Sequence, residues 1–305
     1  MSVTSAGGIA AQPVPATRRA RRWLANPWAK PRFLWLIGSA YVAWTLLPVA
    51  IAVLFSFNST RSLTSWQGFS LRWYASDVSS VLHDQELRGA LTQSLKLSSL
   101  TVLIAVPLGV GFALALDRWR GRVAGPANFL MLFSFITPEI AIGVALFLFF
   151  AKLLTSIGLG FTAQLLGLSM YQMAYPVIVV RARLLSIGKE YEEAAMDLGA
   201  SPSQSLRRVL MPLLAPAIFA SVAIVFAASI DNFVISKQLC ANATCQTVPV
   251  LIYASARTGP LPSLNALASV VLLASTTLIA LAYAVYRRSV RRSGPSRGGR
   301  LALPI

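Results

Sequence analysis

The chain has 305 residues, 56% of them hydrophobic and only 12% charged, with a mean hydropathy of +0.65. Soluble domains carry about 25% charged residues, so this composition excludes an ordinary soluble protein and indicates an integral membrane chain. The formal net charge of +17 would suit a nucleic-acid surface, but the cations sit between long apolar runs, which makes them a topology signal and excludes nucleic acid as a partner.

Residues 1–32 form a basic tail with Arg18, Arg19, Arg21, Arg22, Lys30 and Arg32. The tail reads as disordered and cytoplasmic. It is not a cleavable signal peptide, because the apolar run behind it is too long and no small-residue cleavage site follows. Six apolar segments then occupy 33–56, 95–116, 128–151, 164–184, 213–235 and 263–286. At about 1.5 Å per residue each spans a hydrocarbon core of ~30 Å. An even number of spans leaves both termini on one side. The tails and alternate loops on that side hold 20 Lys and Arg, against six on the other. The positive-inside rule therefore predicts cytoplasmic termini in the cell membrane.

Between the first two spans, an outer loop at about 57–93 contains Trp66, Phe69, Trp73 and Tyr74. It reads either as an aromatic belt against lipid headgroups or as a docking surface for an external partner. His83 lies there beside Asp84 and Glu86 and reads as a solvated loop residue. Within the third span Glu139 follows Pro138, and a proline inside a span frees backbone groups nearby.

The connection at 185–210 predicts two short helices. The first, Lys189 to Leu198, has acids near its N-terminus, where the helix dipole favours them, and Gly199 supplies a left-handed end. Ser201-Pro202-Ser203-Gln204 then reads as a capping box with proline at the first helical position. Pro212 and Pro216 mark the expected turn into the fifth span. Asp231 and Asn232 fall near the end of that span, and Cys240 and Cys245 in the outer loop beyond it. An oxidising compartment permits a disulfide there; two separate thiols are the alternative. Two cysteines without a nearby histidine make a poor metal set, so no metal is expected. The sixth span leads into a basic tail, 287–305.

The segment Glu193-Ala194-Ala195-x-x-x-Gly199, nine residues, then Val209-Leu210-Met211-Pro212 resembles the E-A-A-x(3)-G-x(9)-I-x-L-P signature of ABC importer permeases. Val209 and Met211 are conservative departures from it. Ser56-Phe57-Asn58-Ser59, Trp66 to Tyr74, Thr137-Pro138-Glu139-Ile140, Asp231-Asn232-Phe233-Val234 and Asn265-Ala266-Leu267-Ala268 extend the resemblance to spermidine/putrescine permeases of the PotC type. Those permeases usually read S-P-D-I and D-D at the two acid segments, so Asn232 stands where a second aspartate is usual.

The resemblance implies an all-α, six-helix, MetI-like permease domain over 33–286, with a coupling loop at 185–210. It also implies coupling to an ATPase through Glu193, Ala194, Ala195, Gly199 and Pro212. The implied partners are a second homologous permease, two ATP-binding subunits and an extracytoplasmic solute-binding protein, with lipid around the spans. The chain has no G-x-x-x-x-G-K-[ST] loop, so ATP and magnesium would be held by the partner subunits and no cofactor by this chain.

Buried charges in a span usually face a cavity or a partner, which makes Glu139, Asp231 and Asn232 candidates for a cation path. The expected solute is a polyamine; iron(III), an amino-phosphonate or an opine are the alternatives. A membrane enzyme would need a nucleophile–base pair or metal cluster, and a secondary transporter usually shows more spans or a repeat. Neither is evident, so a non-catalytic permease subunit is the expected role.

Overall fold

The computed structural model describes residues 32–62, 64–118, 121, 124–258 and 262–292. The expectations for the tail up to residue 31 and for 293–305 lie outside the described residues. No strand occurs among the described residues; one isolated antiparallel bridge joins Asn58 and Phe69.

The helices, in order, are α1 (Arg32–Phe55), α2 (Gln85–Arg118), α3 (Ala124–Ile136), α4 (Glu139–Leu148), α5 (Phe161–Gln172), α6 (Ala174–Ile187) and α7 (Glu190–Asp197). They continue as α8 (Pro202–Ser205), α9 (Met211–Ile230), α10 (Val234–Gln238), α11 (Val248–Thr258) and α12 (Pro262–Arg292). The chain divides between Ala52 and Val53 into two units, so most of α1 is described by itself: an apolar stretch of 23 residues, Phe33–Phe55, with a mean hydropathy of 1.9.

In the second unit α9 packs against α2, α6 and α12, and α2 also packs against α5 and α6. The shared core includes Val106, Val110, Val177, Val180, Leu210 and Leu214. Small residues set the spacing of such bundles, because lipid provides no hydrophobic drive between helices. Gly109 on α2 shows this. A Cβ there would lie 2.5 Å from Pro176 Cγ and 2.9 Å from the Met173 carbonyl oxygen, so α2 and α6 meet backbone to side chain with no room between them.

Five helical stretches among the described residues are long and apolar enough to cross a membrane. The predicted third span, 128–151, is not one of them. It is broken after Ile136, and α3 and α4 have only 13 and 10 residues. Pro138 explains the break, since it brings no N–H to the ladder and its ring crowds the preceding turn. A π-helical turn, Phe149–Leu153, completes this stretch.

Other boundaries move as well. α2 starts ten residues before the predicted second span at 95 and covers 34 residues. The fifth span ends at Ile230, and 234–238 form the separate α10. α12 continues through Arg292, beyond the predicted end at 286.

Pro212 does not make a turn. α8, a π-helical turn at Leu206–Leu210 and α9 run on as one apolar stretch, Pro202–Ile230. The wide turn closes from Met211 N–H to the Leu206 carbonyl, immediately before Pro212, which has no N–H to give.

Candidate functional site

The candidate residues fall into two constellations. The first is the hairpin of α7 and α8. Glu190, Glu192 and Glu193 fill the first turn of α7, where the dipole favours them. The helix closes with Gly199 at φ +88°; its N–H donates to the Met196 carbonyl (2.9 Å) and Ala200 N–H to the Ala195 carbonyl (3.0 Å). This pair of bonds requires a left-handed residue, which glycine supplies without a Cβ penalty. On the far side Ser201 Oγ accepts from Gln204 N–H (3.3 Å), and Gln204 Oε1 accepts from Ser201 N–H (3.2 Å). Glu193, Ala194 and Gly199 are exposed and Ala195 is half-buried. Pro212, at the start of α9, is exposed too.

Glu192 faces the other way. Its carboxylate pairs with the Arg118 guanidinium at the end of α2. Its carbonyl accepts from the hydroxyl of buried Ser205 (3.4 Å). Arg118 reads in the sequence only as one cation of a topology signal; nothing local indicates a partner 74 positions away.

The second constellation lies at the break in the third span. Glu139 opens α4, and Asn232 follows α9. Asn232 Nδ2 donates to Glu139 Oε1. Asn232 Oδ1 accepts from the N–H groups of Ile235 (3.2 Å) and Ser236 (3.3 Å), capping α10. Asn232 is 7% exposed, and its amide holds structure together. Of the three predicted path residues, the structure brings Glu139 and Asn232 into contact. Asp231 is exposed and does not join their bond. Beside the break is a cavity of about 690 Å³, lined by Phe133, Thr137, Ala141, Phe149, Met170 and Tyr171 among others.

Gln164 on α5 organises the same region, and no sequence motif marks it. Fully buried, its Nε2 donates to the carbonyls of Ser236 (2.7 Å) and Cys245 (3.0 Å), while its Oε1 accepts from Gln93 Nε2 (3.2 Å). Cys240 and Cys245 are joined by a disulfide. A buried amide with all these bonds fixes three chain segments at once.

The aromatic loop after α1 is an ordered piece, only partly a belt. Trp73 is 0% exposed and donates through Nε1 to the Asn58 carbonyl (2.6 Å), and the Asn58 side chain ties Ser62, Ser65 and Gln67 together. Trp66 and Phe69 remain exposed. Arg72 pairs with Asp77, and its hydrogen bond holds the Asp77 carboxyl below its ordinary value of 3.8.

The described residues thus combine apolar helices of span length, a capped helix–glycine–helix hairpin and a carboxylate at a broken span, an arrangement that fits a transport permease. This chain belongs to the family of binding-protein-dependent transport system inner membrane components, whose model matches residues 105–294. It is therefore a multi-pass membrane protein. It is similar to the putrescine transport system permease protein PotI of Escherichia coli (strain K12), 32% identical over 246 residues, or 78% of this chain and 85% of the relative. It is also similar to the spermidine/putrescine transport system permease protein PotC of Escherichia coli (strain K12), 30% identical over 241 residues, or 79% and 89%. Among solved structures, a bacterial ABC transporter involved in the import of alginate aligns with a TM-score of 0.62 at 18% identity, over 89% of this chain and 98% of that one. The inward-facing MetNI methionine ABC transporter aligns with a TM-score of 0.53 at 18% identity, over 67% and 95%. At that identity the structures speak for the shared fold.

Proposed function

We propose that this chain is the membrane pathway of an ATP-driven importer for polyamines. The observation that carries the proposal is a carboxylate, Glu139, held by Asn232 at the break of a span, where Thr137 and Ala141 on either side of it line a cavity with aromatic walls. A linear polyamine carries two or more ammonium groups. Removing them from water requires carboxylates, and aromatic faces add cation–π attraction. The names of the PotI and PotC relatives support the same solute class.

In this reading Glu139 faces the passing cation. Asn232 holds the Glu139 carboxylate and caps α10, so it acts on the solute through Glu139. Asp231, exposed at the end of α9, offers a second anionic contact. The hairpin lies in the cytoplasm with both termini. Its exposed Glu193 and the angle fixed by Gly199 engage one of two ATP-binding subunits, where ATP and magnesium are held. A second homologous permease completes the channel, and a solute-binding protein delivers cargo outside. This chain itself performs no chemistry.

The test is the Glu139→Gln variant in the assembled transporter. The charge is lost and the shape kept, so half-saturation for labelled putrescine should rise at least tenfold with ATP hydrolysis retained. Unchanged half-saturation would remove Glu139 from the path.

A further inference from the structure

We propose that Arg118 is a positioning residue that latches the hairpin onto the second membrane helix, so that movement of the hairpin is delivered to α2. The inference rests on the reading of the hairpin as the ATPase handle. It adds the route by which that handle pulls on the membrane bundle.

Four observations lead there. First, α7 divides its acids. Glu193, in the signature, is exposed, while the Glu192 side chain is 16% exposed and turned back to the Arg118 guanidinium. Neighbouring residues on a helix point about 100° apart, so one short helix can face a partner and its own bundle together. Second, both ends of the pair are electrostatically matched. Arg118 is the last residue of α2, at its negative pole, and Glu192 sits in the first turn of α7, at its positive pole. Third, Glu192 is also held from behind, since its carbonyl accepts from the Ser205 hydroxyl. The latch therefore grips both helices of the hairpin. Fourth, the space beside the pair is open. A cavity of about 370 Å³ lies beside it, lined by Leu114, Ala115 and Arg118 of α2 and by Leu206 of the turn after α8, so the pair has room to move.

α2 is a suitable receiver. It runs 34 residues and reaches the outer region, where Ser94 Oγ accepts from the Val248 N–H at the start of α11 (2.8 Å). Through Gly109 it is seated against Pro176 of α6. A displacement at Arg118 is therefore delivered to a long helix in contact with much of the bundle.

The experiment uses the assembled transporter in proteoliposomes and measures labelled putrescine imported per ATP hydrolysed. Arg118→Glu and Glu192→Arg should each lower that ratio at least threefold, and the double swap should recover at least half of the wild-type ratio. Arg118→Lys, which keeps the cation, should stay within twofold of wild type. Single reversals with an unchanged ratio, or a swap that recovers nothing while Arg118→Lys remains active, would overturn the latch. Copurification of the ATPase subunits with each variant separates the two readings. A Glu193→Cys variant that fails to crosslink to the ATPase would defeat the hairpin-as-handle reading, whereas crosslinking with insensitive reversals would defeat the latch alone.

Discussion

Asn232→Ala isolates the junction on which the cation-path reading depends. The substitution removes two interactions at once. Loss of the cap on α10, where Oδ1 accepts from Ile235 and Ser236 N–H, costs about 0.5–2 kcal/mol. Loss of the hydrogen bond to the Glu139 carboxylate costs about 1.5–3 kcal/mol, as for bonds to charged groups. The sum, about 2–5 kcal/mol, shifts an unfolding equilibrium by a factor of roughly 30 or more. Asn232→Asp should be milder for α10, since a carboxylate caps as well as an amide does. It sets a second carboxylate against Glu139, however, and like charges in contact repel. A polyamine would relieve that repulsion. Spermidine should therefore raise the melting temperature of the Asn232→Asp complex more than that of the wild type. The assay is thermal unfolding of the purified transporter, with and without spermidine, beside uptake. If Asn232→Ala melts with the wild type and imports at the same rate, the junction does not hold the site and the reasoning fails.

Other expectations follow from single contacts. Gly199→Val forces a β-branched residue to φ +88° at an exposed position, a backbone cost of about 1–2 kcal/mol, while Gly199→Asn should be tolerated; ATP hydrolysis stimulated by the binding protein should fall for the first and persist for the second. Gly109→Leu overpacks the crossing of α2 and α6, at a cost of about 1–3 kcal/mol or more, read as a lowered melting temperature and a poor yield of assembled complex. Intact mass of the alkylated, unreduced protein should show no added label on the two cysteines, and full labelling after reduction.

Acid should loosen the Arg72–Asp77 contact in the outer loop. Asp77 has a lowered folded-state value, so its stabilising effect is complete above the ordinary 3.8 and is lost as pH falls through the lowered value. Trp73 fluorescence should report a transition below 3.8, and Arg72→Ala should move its midpoint upward.

Much of this was legible from local chemistry. The hairpin is an example. Acids at a helix start, a glycine at its end and a Ser-Pro-Ser-Gln cap specify backbone geometry within a few residues, and α7 differs from its expected bounds by one residue at each end. The class of protein was legible in hydropathy, since apolar runs of span length have few other uses. Hydropathy does not mark where a run breaks, however. The third span reads as continuous because most of its side chains are apolar, whereas Pro138 interrupts the backbone beneath them. The predicted turn at Pro212 failed for a related reason: a wider helical turn absorbed the missing N–H. The partners of Arg118 and Gln164, and the Glu139 partner of Asn232, were not legible, because each lies more than 70 positions away and side-chain pairing at that distance leaves no local pattern. Asn232 reads as a path residue when placed beside Asp231, and its bonds to Glu139, Ile235 and Ser236 add a structural role that the sequence does not show.

ATP-dependent uptake of labelled putrescine and spermidine into proteoliposomes, with and without this chain in an otherwise complete transporter, tests the central claim most directly. The account predicts saturable uptake that disappears without the chain and is competed by other polyamines. An assembled transporter that hydrolyses ATP under binding-protein control yet imports neither amine would contradict it.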